Sequence, residues 1–262
     1  MRITVFTSNQ PRHVSLIESL STIADEVFTI QECNTVFPGQ VDDFFRKSPV
    51  MQDYFSRVIG AEREVFGAPR FPARSNVRQL PIKMGDLSRL DVESLAPAMQ
   101  ADIFIVFGAS YIKGTLCDAL VERRAINIHM GVSPQYRGSS TNFWAMYDRR
   151  PEFVGATIHL LSKGLDSGPI LFHALPKAAK VDPFVYGMRA VRAAHESLVE
   201  KIKSAQLGDL APVDQDRTRE LRYTRNADFT DAIAAEYLSR LQAPSEMQFG
   251  RDLSTFVRPV VI

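Results

Sequence analysis

Two hydrophobic rhythms run along this chain. Short apolar runs of strand length alternate with stretches in which apolar residues return every three or four positions, the spacing of one helix face. Ile3, Val5 and Phe6 predict a first strand, Ser8-Asn9-Gln10-Pro11 a turn, and Val14, Leu16, Ile17, Leu20, Ile23 and Ala24 the buried side of a helix. Val27 to Ile30 predict the next strand. From Val41 to Phe66, the residues Phe44, Phe45, Met51, Tyr54, Phe55, Val58 and Ile59 give a less regular helical pattern interrupted at Pro49. Residues 67–78, with two prolines and three arginines, read as an exposed loop.

Ser94 to Met99 predict a short helix before Asp102-Ile-Phe-Ile-Val-Phe107, an unbroken apolar run of the kind carried by strands covered on both faces. A helix over Leu116 to Arg123, a strand over Ala125 to Met130, a helix over Thr141 to Tyr147 and a strand over Val154 to Leu161 continue the alternation. Val185, Met188, Val191, Ala194, Leu198, Val199 and Ile202 predict a long packing helix, with Gly208 as its C-terminal cap. The expected fold class is α/β, a doubly wound, mostly parallel, Rossmann-like sheet with ligands in the crevice beyond the carboxyl ends of its strands. The expected domains are a main unit over residues 1–208 and a short C-terminal extension over residues 209–262, carrying one helix from about Thr230 to Leu241.

Composition narrows the partners. Lys and Arg number 31 against 30 Asp and Glu, and a net charge of +1 provides no broad field for holding a nucleic acid. Cys33 and Cys117 stand far apart in no paired motif, so neither a disulfide frame nor a cysteine zinc site is expected. The N-terminal residues enter a strand directly and lack a secretory pattern, and the strongest apolar run, Ile103 to Phe107, is too short to cross a bilayer. A soluble, cytoplasmic protein with no membrane partner is expected.

The chain has no G-x-G-x-x-G after the first strand, no P-loop, no G-x-S-x-G elbow and no H-E-x-x-H among its five histidines at 13, 129, 159, 173 and 195. What remains is polar chemistry at the middle. In Ala125-Ile-Asn-Ile-His-Met-Gly131, strand alternation sends Asn127 and His129 to one side and Ile126, Ile128 and Met130 to the other. Ser162-Lys-Gly-Leu-Asp-Ser-Gly168 leaves the next strand and flanks Asp166 with two glycines. The residues alone also allow a strand-end Asn and His satisfied by backbone groups, and an Asp that bonds its own turn.

The run Asn127-Ile-His129-Met-Gly-Val-Ser-Pro134-Gln-Tyr-Arg137-Gly138, continued by Phe143-Trp144-Ala145, Gly155-Ala-Thr-Ile-His159 and Gly164-Leu-Asp166-Ser-Gly168, resembles the core of the folate-dependent formyltransferases. That family includes methionyl-tRNA, glycinamide ribonucleotide and sugar N-formyltransferases. The resemblance covers roughly residues 100–175 and implies a formyltransferase fold and an N10-formyltetrahydrofolate co-substrate, with no metal. It implies that Asn127, His129 and Asp166 are catalytic. His129 and the Asn127 amide would donate to the formyl oxygen, and Asp166 would accept a proton. It further implies that Phe107, Gly108, Ala109, Tyr111 and Ile112, with Gly164 and Leu165, line the folate pocket.

Gly131-Val-Ser-Pro134 departs from the Ser-Leu-Leu-Pro of many members and is similar to the sugar N-formyltransferase variant. The 54 residues after Gly208 fall short of the RNA-contacting barrel expected of a tRNA enzyme. The resemblance therefore implies a nucleotide-linked amino sugar as acceptor, in chemistry of the lipopolysaccharide O-antigen kind. The alternatives are methionyl-tRNA or glycinamide ribonucleotide as acceptor, a formyltetrahydrofolate hydrolase, or a non-catalytic binding protein on the same frame. Asn9, Lys83 and Arg137 are candidate contacts to sugar or diphosphate oxygens. Phe143-Trp144 reads as core, and Arg70, Arg74 and Arg78 as a solvated loop. Homodimers are common in the family; Phe229, Ile233, Tyr237 and Leu241 could supply an apolar interface or fold back on the chain's own core.

Overall fold

A computed structural model describes residues 1–37, 40, 48–241 and 249–262. The predicted helical positions Val41, Phe44 and Phe45 lie outside the described residues. The chain runs β1 (Arg2–Ser8), α1 (Pro11–Ser21), β2 (Glu26–Cys33), α2 (Pro49–Phe66), β3 (Val77–Lys83), β4 (Ile103–Phe107), α3 (Gly114–Glu122) and β5 (Ile126–Met130). It continues through β6 (Tyr136–Gly138), α4 (Thr141–Tyr147), β7 (Ala156–Leu160), β8 (Ile170–Leu175), α5 (Pro183–Lys203), β9 (Arg222–Thr224), α6 (Asp231–Ser239) and β10 (Val260–Val261).

Among the described residues eight strands form one sheet in the order β10-β8-β7-β5-β4-β1-β2-β3. The order departs from a fully parallel winding at one place. β7 runs antiparallel to both β5 and β8, while the β1, β2, β3, β4 and β5 pairings and β8 with β10 are parallel. The sheet is covered on both sides, as the unbroken apolar run of β4 requires. Ile3, Val5, Ile105, Ile128 and Ile158 pack against Leu16, Ile17 and Leu20 of α1 and Val191, Ala194 and Leu198 of α5. Phe6, Phe28, Ile30, Phe104 and Val106 pack on the other face against Leu116 and Leu120 of α3.

Several boundaries differ from the periodicity. Pro49 does not interrupt a helix; it opens α2, with the Ser48 hydroxyl accepting from the Met51 amide, because the first helical turn has no use for the missing proline N–H. Gly208 is not the cap of α5, which ends at Lys203 with Ser204 as C-cap. Ser94 to Met99 becomes two 3₁₀ turns, Glu93–Leu95 and Ala98–Gln100, and Ile23 and Ala24 fall beyond the end of α1.

Residues 209–262 are stitched to the main body. Val213 bridges to Ile170, β9 pairs with β6, and β10 extends the edge of the large sheet beside β8. Ala234, Tyr237 and Phe256 are buried in a third core with Met51 and Tyr54 of α2 and Phe143 and Trp144 of α4. Phe229, Ile233 and Leu241 pack on that same core, so the apolar face of the extension is spent within its own chain.

Candidate active site

β5 carries two of the three candidate side chains. Ile126 and Ile128 enter the core, so Asn127 and His129 face the opposite side. The antiparallel register with β7 sets Asn127 across from His159 and His129 across from Thr157. The strand ends at Gly131, whose φ of 138° and contact with Thr141 leave no room for a side chain: a Cβ there would lie 2.1 Å from the Thr141 Oγ1. The Thr141 hydroxyl donates to the Met130 carbonyl and closes that end.

Asp166 arrives on the loop between β7 and β8. Its φ of 46° is in the left-handed region that few side chains adopt. The Asp166 Oδ1 stands 3.3 Å from the His129 Nδ1 and 3.3 Å from the Asn127 Nδ2, so the three predicted side chains converge. Burial alone would raise the Asp166 carboxyl; the charge and contact of His129, with smaller help from His159 and Arg137, outweigh it and hold the group below its ordinary range.

His159 completes the arrangement and had no role in the sequence reading. Burial pushes its imidazole down to about 4, so it is neutral near pH 7. Its Nδ1 lies 2.8 Å from the Leu160 carbonyl, which can only accept, so the hydrogen sits on Nδ1. The Nε2 lone pair then accepts from the Asn127 Nδ2 at 3.0 Å. Both amide hydrogens of Asn127 are thereby engaged, one on His159 and one on Asp166. The His129 Nε2, by contrast, is buried with no hydrogen-bond partner. Of the two side chains expected to face a formyl oxygen, His129 has a ring nitrogen without a partner and Asn127 has both amide hydrogens in use.

Beside this cluster a cavity of about 100 Å³ is lined by Val106, Ile112, Asn127, His159, Leu161 and Asp166. Ala109, Tyr111, Gly164 and Leu165, all expected in a pterin pocket, also line it. Its walls are tied together, the Tyr111 hydroxyl donating to the Lys163 carbonyl at 2.6 Å while Lys163 pairs with Asp118 at 2.7 Å. Phe107 and Gly108 stand outside the lining. Strand alternation turns Val106 to the cavity and Phe107 to the opposite core, where its ring meets those of His13 and His195 at 4.9 and 5.0 Å. Gly108 backs onto His13, whose Nε2 would lie 2.3 Å from a Cβ.

The predicted acceptor contacts scatter. Lys83 is exposed at the end of edge strand β3, four strands from β5 and so about 19 Å across the sheet, outside the cluster. Arg137 is 8% exposed; it pairs with Glu220 at 2.9 Å and lies over the Tyr223 ring, and so serves the β6–β9 seam. Asn9 lies beyond β1, two strands from β5. It lines a separate cavity of about 700 Å³ with Gln31, Cys33, Phe37, Arg63 and Phe71, and its Oδ1 is buried without a partner.

Two further residues shape the walls. Glu32, fully buried at the end of β2, accepts from the Ser110 amide at 2.5 Å, the Ser110 hydroxyl at 2.7 Å and the Gly85 amide at 2.8 Å, which fixes the segment before Tyr111. Gln215 donates to the backbone of the Asp166 loop. Neither lies in a motif; a buried carboxylate at the end of an apolar strand is the sole sequence signal for the first. Among the described residues no group of three or more His, Cys, Asp or Glu could hold a metal ion, and no helix is long and apolar enough to cross a membrane.

Comparison with known proteins bears on the same region. A family described as formyl transferase matches residues 67–202, just over half of the chain. The methionyl-tRNA formyltransferase of Synechococcus sp. (strain JA-3-3Ab) is 30% identical over 143 residues, 53% of this chain and 44% of that protein. That of Thermotoga maritima is 31% identical over 126 residues, 47% and 39% of the two chains, so this chain spans less than half the length of these curated relatives. Among solved structures, a 4-N formyltransferase from Francisella tularensis superposes with a TM-score of 0.55 at 16% identity, covering 89% of this chain and 85% of that one. The formyltransferase PseJ from Anoxybacillus kamchatkensis, solved with UDP-4,6-dideoxy-4-formamido-L-AltNAc and tetrahydrofolate, gives a TM-score of 0.52 at 18% identity over 94% and 97% of the two chains. A family match over half of the chain, falling on the strands and the loop that bring Asn127, His129 and Asp166 together, decides kinship: the chain belongs to the formyl transferase family.

Proposed function

We propose that this protein transfers a formyl group from N10-formyltetrahydrofolate to the amine of a nucleotide-linked amino sugar. The observation that carries the reading is the buried, unpartnered Nε2 of His129, whose Nδ1 is held by Asp166, a residue that itself lines a mostly apolar cavity. The cavity lining combines Val106, Ile112, Leu161 and Leu165 with Ser110 and Asp166, the mixture of apolar walls and polar groups that a heterocycle would meet. Bound N10-formyltetrahydrofolate supplies the formyl carbon. In its imidazolium form His129 donates from Nδ1 to Asp166 and has the Nε2 hydrogen left to direct to an oxygen. Asp166 stabilises the imidazolium and, directly or through a water, takes the proton released by the attacking amine. Asn127 and the neutral His159 fix the carboxylate from behind.

Favouring a sugar acceptor are the near end-to-end superposition with PseJ, solved with a formylated nucleotide sugar, and the near-neutral charge of the chain. The large cavity at Asn9, with two phenylalanines and two arginines, would take the nucleotide end. A methionyl-tRNA acceptor is the second reading, supported by the curated relatives.

The test is a panel of nucleotide-linked amino sugars, methionyl-tRNA and glycinamide ribonucleotide incubated with formyl-folate, with product mass and formate release as readouts. A mass gain of one formyl group on a nucleotide sugar, reduced on the order of 10²–10³-fold in His129→Ala, is the expected result. Product on tRNA alone, or formate release without any acceptor, would replace it.

A further inference from the structure

The loop that carries Asp166 is held from outside. Its own sequence contributes a Ser162–Ser167 hydroxyl contact at 3.0 Å, yet Asp166 sits in a left-handed conformation that costs energy for any residue but glycine. The extension supplies what the loop lacks. Val213 pairs with Ile170 through two backbone hydrogen bonds of 2.7 and 2.9 Å, directly where the loop enters β8. Two residues later, the Gln215 Nε2 donates to the Asp166 carbonyl at 2.9 Å and to the Gly168 carbonyl at 2.8 Å. One amide group thus ties the backbone on both sides of Ser167. The Gln215 Oε1 is buried and has no partner, so the side chain sits where it serves the loop and leaves its own oxygen unsatisfied.

We propose that Gln215 is a positioning residue: its amide fixes the Asp166 backbone so that the carboxylate stays against His129 during the reaction. The proposal rests on the formyl-transfer reading above. It makes residues 209–262 part of the machinery, since the carbonyl of the candidate catalytic acid is held by a side chain 49 positions further along the chain. A carboxylate that slips by about 1 Å from a reacting geometry costs on the order of 10²-fold in rate.

Two variants test it. Gln215→Met keeps length and bulk and removes the donors; Gln215→Glu turns carboxylate oxygens toward two carbonyls. Each is expected to lower kcat about 10- to 100-fold with KM for donor and acceptor within about twofold. The Asp166 side-chain carboxyl, titrated by ¹³C NMR, is expected to move up toward its ordinary range, and the acid limb of kcat to move with it. A Gln215→Met protein with wild-type kcat overturns the proposal. So does one that loses melting temperature alone while Asp166 titrates as before. If the wild type transfers no formyl group to any acceptor and the Asp166 titration still moves in Gln215→Met, the formyl-transfer reading fails and the clamp is supported.

Discussion

Asp166 Oδ1 has two neighbours at the same distance, an imidazole nitrogen and an amide nitrogen, and both favour the charged carboxylate. Because the folded value is depressed, the stabilisation from this contact is present above the ordinary carboxylate pKa and is lost only as pH falls through the lower folded value. The Asp166 limb of the kcat/KM profile is therefore expected below about pH 4. Comparing the profile of the wild type with that of Asp166→Asn checks this; a carboxylate limb between about pH 5 and 7 that vanishes in the variant contradicts the geometry. His159 does not add a limb near neutrality, because burial holds it at about 4.

One element, the loop from β7 to β8, carries Asp166 between two glycines of different consequence. A Cβ at Gly168 would lie 1.7 Å from the Leu160 carbonyl oxygen and 3.0 Å from the His159 Nδ1, so the backbone itself must move. At Gly164 the obstacle is the Ser167 Oγ, the end of a side chain that can rotate. Gly168→Ala is expected to destabilise by about 1–3 kcal/mol and to reduce kcat, whereas Gly164→Ala retains the wild-type melting temperature to within about 2 °C. Thermal melts and turnover of the two variants side by side measure the difference. Strand β4 was readable as an unbroken apolar run, β1 and β2 as short apolar stretches between turns, and alternation along β5 was enough to pair Asn127 with His129. The direction of β7 was not, since a period of two reads the same either way, and with it went the partnership of His159 with Asn127. Glu32 and Gln215 were out of reach for another reason: their partners lie 78 and 49 residues away, and no local pattern encodes such a contact.

Over the whole molecule, four histidines are held below their ordinary range mainly by burial: His13, His159 and His173 at about 4 for the latter two, and His195 at about 3. In the unfolded chain each binds a proton near pH 6.5, so the unfolded state gains protons first as pH falls. Stability is full above about pH 6.5 and declines toward pH 4, by about 1.4 kcal/mol per unit for each group once the unfolded chain is protonated. The melting temperature is expected to fall steadily across that interval; a flat profile from pH 7 to 5 would contradict it. The extension shares in this fold, since Tyr237 and Phe256 bury side chains worth about 3–6 kcal/mol together.

The bond from the Tyr111 hydroxyl to the Lys163 carbonyl joins the two segments that line a space of about 100 Å³, smaller than the ~300 Å³ at which small-molecule sites usually begin. A guest of pterin size would therefore need those two segments to draw apart as it enters, with the loss of that one hydrogen bond as part of the cost of admission.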